Sequence, residues 1–118
     1  MCITSLLPTP TYTQIVCQKF QVMHKNDKAV LLIVAQRWEK ALSILTDSHE
    51  ENPVDPWTMT MMGTCFVALS DYGAAIEICE KALPLMEDAS GPLFILGNAY
   101  CGVGRYSDGK KAYQNVLL

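Results

Sequence analysis

Aromatic residues recur at a fixed step of 34 along this chain, at Trp38, Tyr72 and Tyr106. The same step joins Ala41, Ala75 and Gly109, and it joins Ala29, Gly63 and Gly97. Leu32, Phe66 and Tyr100 form a fourth column, and Leu45, Cys79 and Tyr113 a fifth. Each column keeps its residue type, large or small, through three frames without a gap. A fixed period in this range marks a stack of supersecondary units, none of which can bury its apolar face alone. That excludes most other ways of folding a chain of 118 residues.

The local pattern inside each frame is helical. Trp38, Ala41, Leu42 and Leu45 fall at i, i+3, i+4 and i+7, one face of an amphipathic helix. An earlier apolar face, Ile15, Val16, Phe20 and Met23, predicts a helix from about Tyr12. Pro8 and Pro10 make residues 1–11 an extended leader. Asn26-Asp27 reads as a break and helix cap before the apolar run Ala29–Ala35. Ser48–Pro56 is polar, carries Pro53 and Pro56, and reads as a loop feeding a helix whose first turn holds Pro56. His49-Glu50-Glu51 then falls in a solvated loop, and Asp71 and Asp108 at turns or helix starts. Small residues are expected where two helices cross closely, as at Gly63 with Ala75 and Gly97 with Gly109. Phe66, Tyr72, Tyr100 and Tyr106 are expected to fill the space between units.

In these residues the chain resembles the tetratricopeptide repeat family, whose period is 34. Met62-Gly63 with Phe66, Asp71-Tyr72-Gly73-Ala74-Ala75-Ile76-Glu77 and Lys81-Ala82-Leu83 make one repeat. Leu96-Gly97-Asn98-Ala99-Tyr100 and Gly104-Arg105-Tyr106 with Ala112-Tyr113 make another. Residues 22–55 form a degenerate frame that matches through Trp38, Ala41 and Pro53, while Lys25 and Lys28 stand where the family has core residues. The resemblance implies an all-α fold: antiparallel helix-turn-helix repeats stacked as a short superhelix of about three repeats. The single domain would span 12–118, with a helix before the degenerate repeat, then repeats at 56–89 and 90–118.

The resemblance also implies where a partner would sit, because in the family the first helix of each repeat lines a concave groove. Transferred residue by residue, those positions are Trp57, Thr60, Thr64, Val67 and Ala68, then Gly91, Phe94, Asn98, Cys101 and Gly102. The degenerate repeat adds Val30, Ile33 and Val34. None is basic, which argues against the carboxylate clamp of some family members. An apolar groove with a few Thr and Asn suits an amphipathic helix laid in with its apolar face down. Val116, Leu117 and Leu118 would form a second apolar edge for a partner to cover.

Composition narrows the function classes. The net charge is −3 with no basic stripe, which argues against nucleic acid. The longest strictly apolar run, Ala29–Ala35, is too short to span a bilayer, and no Lys or Arg precedes Lys19 as in a secretory signal. On these features the chain is expected to be cytoplasmic. The five cysteines include no Cys-x-x-Cys pair and read as reduced core residues. His24 and His49 lack metal-site spacing, so no metal or other cofactor is expected. Gly102-Val103-Gly104 leads into Arg105-Tyr106, which suits a turn and not a phosphate loop. No nucleophile stands beside a base in any motif, so an enzyme is not expected. Size and repeat layout resemble the small needle-subunit chaperones of bacterial type III secretion. That resemblance implies a chaperone that holds an amphipathic helix of a self-assembling subunit, sometimes beside a second small helical co-chaperone. The alternative is a scaffold or adaptor fragment of a longer repeat protein.

Overall fold

The computed structural model describes residues 25–117. The expected leader, the helix expected over Tyr12–Met23, and Leu118 lie outside those residues. Every regular element among the described residues is helical. They are α1 (Lys25–Val34), α2 (Trp38–Glu51), α3 (Pro56–Ala68), α4 (Tyr72–Ala82), a 3-10 turn at Leu83–Leu85, α5 (Ser90–Gly102) and α6 (Tyr106–Val116). Each helix packs on the next, so α1–α2, α3–α4 and α5–α6 form pairs. The first helices also meet across pairs, α1 against α3 and α3 against α5.

The turn inside each pair is built the same way at the same step. Gln36, Ser70 and Gly104 have φ of 60°, 62° and 83°. After α1, the Gln36 N–H donates to the Ile33 carbonyl at 2.9 Å and the Arg37 N–H to Leu32 at 2.7 Å. After α3, Ser70 donates to Val67 at 3.0 Å and Asp71 to Phe66 at 2.8 Å. After α5, Gly104 donates to Cys101 at 3.1 Å and Arg105 to Tyr100 at 2.8 Å. This paired pattern, closed by a left-handed residue, satisfies the last helical carbonyls and reverses the chain. Only Gly104 adopts it without a Cβ; Gln36 and Ser70 each carry a cost of roughly 1–2 kcal/mol.

Helix starts follow local chemistry. Asp55 caps α3: its Oδ1 accepts from the Trp57 N–H at 3.2 Å and its Oδ2 from the Thr58 hydroxyl at 2.7 Å, with Pro56 in the first turn. Asp71 caps α4 by accepting from the Ala74 N–H at 3.4 Å. Asp108 sits in the first turn of α6, paired to Arg105 at 2.9 Å.

Two expectations are corrected. Ser48–Glu51 is helical, so the loop before α3 is confined to 52–55 and His49-Glu50-Glu51 closes α2. A proline restricts only the residue before it, and Asn52 absorbs that restriction as the C-cap, with φ −140°. Asn26 and Asp27 lie within α1 and do not break it. Asn26 instead directs its side-chain amide to the Thr58 hydroxyl at 3.4 Å, a contact across 32 residues.

The core runs along the seams between helices. Ala29, Ala41, Leu45, Cys65, Cys79 and Ala82 are fully enclosed and belong to one cluster with Met59, Met61, Met62, Ile95 and Leu96. Both α3 and α5 are apolar on nearly every face, as suits helices covered on several sides. The threonines of α3 turn their hydroxyls back to the helix: Thr60 donates to the Pro56 carbonyl at 2.8 Å and Thr64 to Thr60 at 3.2 Å. Small residues mark close crossings. A Cβ on Gly109 would lie 3.1 Å from the Gly97 carbonyl, in line with the expected Gly97–Gly109 crossing. The nearest neighbour of Gly63 is the Cys79 sulfur, not the expected Ala75.

Burial pushes the Cys65 thiol up to about 11 and the Cys79 thiol up to about 12. Neither thiol should react with iodoacetamide near pH 8 until the protein unfolds, and mass spectrometry of alkylated peptides checks this. Rapid alkylation of Cys79 in the native protein would contradict its enclosure. The same shifts make stability fall with rising pH. Above the ordinary thiol value of 9.0 the unfolded chain loses these protons while the folded chain keeps them. The loss should begin near pH 9 and grow towards about pH 11 for Cys65 and about pH 12 for Cys79.

Candidate functional site

The sequence expects the partner on the first helices, α1, α3 and α5. On α3, Trp57 is 54% exposed, Ala68 is exposed, and Thr64 and Val67 are half-buried. On α5, Phe94 is 54% exposed, Gly91 and Gly102 are exposed, and Asn98 and Cys101 are half-buried. On α1, Val34 is 75% exposed, Val30 is exposed and Ile33 half-buried.

Thr60, by contrast, is buried, with 9% of its surface exposed. Its methyl lies under Gly91, where a Cβ would stand 3.5 Å away, and its hydroxyl reaches the Met86 sulfur at 3.8 Å. The start of α5 and the segment before it therefore cover this part of α3. Phe94 stands in the same column one step later and is exposed. Its exposure reports what lies beyond α5 as much as any groove.

Asn98 and Phe94 are also not free to serve a partner alone. The Tyr113 hydroxyl donates to Asn98 Oδ1, and the Tyr113 ring lies 5.9 Å from that of Phe94 at a tilt of 55°. Burial first, then the neighbouring Cys101, raises the Tyr113 phenol above its ordinary value. The sequence reading did not place Tyr113 near the site. The signal was present: a full ring in the column of Leu45 and Cys79, opposite the glycine at 97. A Cβ on Gly97 would overlap that ring.

Charge is partitioned between the helix sets. None of the first-helix positions named above is charged. The exposed charges lie mainly on the second helices: Glu39, Lys40, Asp47 and Glu50 on α2, Glu77, Glu80 and Lys81 on α4, and Lys110 and Lys111 on α6. Their ion pairs, such as Lys81–Glu77 at 3.5 Å, are exposed and contribute little.

Two small clefts between paired helices repeat at the step of 34. One, of about 190 Å³, is lined by Met62, Phe66, Ala74, Glu77, Ile78 and Lys81. The other, of about 230 Å³, includes Leu96, Tyr100, Asp108, Lys111, Ala112 and Asn115, one step along from each. The first combines the apolar side chains of Met62, Phe66, Ala74 and Ile78 with the Glu77–Lys81 ion pair. In the second, Arg105 lies over the Tyr100 ring at 4.6 Å, and the Tyr100 hydroxyl donates to Glu80 at 2.7 Å. Burial, then the Glu80 carboxylate, pushes that phenol up to about 12.

At the second expected edge, Val116 is half-buried and Leu117 is 85% exposed, while Leu118 lies outside the described residues. Among the described residues no three metal-ligating side chains converge, and no helix is long and apolar enough to cross a membrane. Comparison with protein-family models finds no matching model, and comparison with curated proteins finds no match.

Proposed function

We propose that this chain is a protein-binding module of the tetratricopeptide type, acting in the cytosol as a chaperone for a partner's amphipathic helix. The three helix pairs would stack as a short superhelix, with α1, α3 and α5 lining its concave face. The observation that supports this most is the charge partition together with Trp57. A ring 54% exposed at the start of a helix that is otherwise largely buried, on a set of positions without charge, is a surface suited to apolar contact. A partner helix laid across Trp57, Val67 and Val34 would lose water from its own apolar face, and its polar face would stay solvated. Where that partner polymerises through the same helix, holding it in this way blocks assembly, which is the service that needle-subunit chaperones perform. A second small helical protein could share the task.

The test uses fluorescein-labelled amphipathic helical peptides with a leucine face, binding being followed by anisotropy. Trp57→Asp should weaken binding at least about tenfold, as loss of a central aromatic anchor does, with the circular dichroism of the chain unchanged. Equal affinity for the wild type and Trp57→Asp would rule out the first helices as the binding face.

A further inference from the structure

Of the two clefts that repeat at the step of 34, the chain covers one with a cation of its own. In the α5–α6 pair the cleft holds Leu96 and the Tyr100 ring. Arg105 lies over that ring at 4.6 Å, and Asp108 holds its guanidinium at 2.9 Å. One step earlier, in the α3–α4 pair, the cleft holds Met62, which is buried, and the Phe66 ring, which is half-buried. The aromatic ring is kept there, but the residues around it are exchanged. Asp71 stands in the column of Arg105 and turns its carboxylate to the Ala74 N–H at the start of α4. Ala74 stands in the column of Asp108, and Glu77 in the column of Lys111. Among the described residues no cation lies over the Phe66 ring.

We infer that the cleft of about 190 Å³ between α3 and α4 is a docking pocket for an arginine side chain of a partner protein, presented in a positively charged segment. The guanidinium lies on the Phe66 ring as Arg105 lies on Tyr100, drawn by the negative face of the ring. Glu77, exposed at the rim one turn along from Ala74, supplies the carboxylate. Lys81 already meets Glu77 at 3.5 Å, but both are exposed, and so loose a pair yields to a better-placed cation. Arginine suits the pocket better than lysine, because its flat group stacks on a ring while its fork of N–H donors binds a carboxylate. The surroundings favour positive charge. Residues 52–89 carry six carboxylates (Asp55, Asp71, Glu77, Glu80, Glu87 and Asp88) and a single cation, Lys81, so the chain's excess negative charge is concentrated here. A second copy is the poorer source. Its one arginine besides Arg105 is Arg37, and Glu39 stands two residues away with the opposite charge. Met62 and Phe66 lie about half a turn round α3 from Trp57, Thr64 and Val67, so this pocket does not depend on the first helices binding anything.

The probe is a glycine-based heptapeptide with a central arginine between two lysines, titrated into the isotopically labelled full chain and followed by amide chemical shifts. The expected result is saturable shifts at Ala74, Ile78 and Lys81. Citrulline in place of arginine, which keeps the shape and removes the charge, should abolish them, and lysine in its place should weaken binding. Phe66→Leu should weaken the arginine peptide about two- to fivefold, the range of an exposed cation–ring contact. Glu77→Gln should weaken it to a similar degree, while Lys81→Ala, which removes the competitor, should tighten it. Asp71→Arg with Ala74→Asp rebuilds the cover found over Tyr100 and should abolish binding. Trp57→Asp should leave binding unchanged, which separates this pocket from the first-helix reading. Glu77 is exposed, so Glu77→Gln decides the matter even if another variant lowers helicity. Absence of saturable shifts overturns the inference, as does equal affinity for the arginine, lysine and citrulline peptides, binding that ignores both Glu77→Gln and Phe66→Leu, or binding lost in Trp57→Asp. Sedimentation showing a self-associated chain that Arg37→Gln dissociates also overturns it, because the occupant would then be a second copy.

Discussion

Leu45→Ala should destabilise the protein by about 2–5 kcal/mol, the usual cost of emptying a fully enclosed leucine site. Leu45 has no exposed surface and is among the largest fully buried side chains. It stands in the column where Cys79 meets Gly63 and Tyr113 meets Gly97. Its own opposite number in that register is Ala29, which is also fully enclosed. Ala29 and Ala41, in the same cluster, have no side chain long enough to swing into the space. The cavity should therefore persist, placing the cost towards the upper part of the range. Urea denaturation would read it as a lower midpoint at unchanged slope. A loss of under about 1 kcal/mol would mean that the column is not core. Against a total stability of roughly 5–15 kcal/mol, the expected loss is a large share.

Gly63→Val should be comparably damaging for the opposite reason. The first added carbon would overlap the Cys79 sulfur and lie 3.3 Å from the Ile95 side chain, with Ile78 at 3.7 Å. Those contacts come from α4 and α5, so α3 is held from both sides and cannot retreat from one without meeting the other. Overpacking of this kind costs about 1–3 kcal/mol, and a branched side chain falls at the upper end. The milder Gly63→Ala sets the same clash against a gain of roughly 1 kcal/mol in helix propensity. Cys79→Ala removes the sulfur and should relieve the clash. A double-mutant cycle on Gly63→Ala and Cys79→Ala should then give a favourable coupling of about 1 kcal/mol. Additive effects would show that these two positions do not meet.

Much of this was legible in the residues. The step of 34 in Trp38, Tyr72 and Tyr106 reappears as the starts of α2, α4 and α6, but only Trp38 and Tyr72 are half-buried between units, and Tyr106, expected to fill such a space, is 70% exposed. Pro56 after Asp55 announced the start of α3 because both act within one turn. Local polarity misled where tertiary contacts decide. Ser48–Glu51 looked like loop, yet Ser48 is buried and α2 runs through it. Asn26 looked like a cap, yet its amide reaches Thr58 on a different helix pair.

The candidate surfaces divide in the same way. The sequence by itself determined the helical period, the column to which each residue belongs, and the absence of charge from the named first-helix positions. These follow from spacing and residue type, which are properties of the chain alone. Only the tertiary structure decided which members of a column are covered. Thr60 and Phe94 share a column, as do Tyr72 and Tyr106, yet one of each pair is packed over and the other is open. Burial is set by the helix one step further on, and no residue encodes its own neighbour.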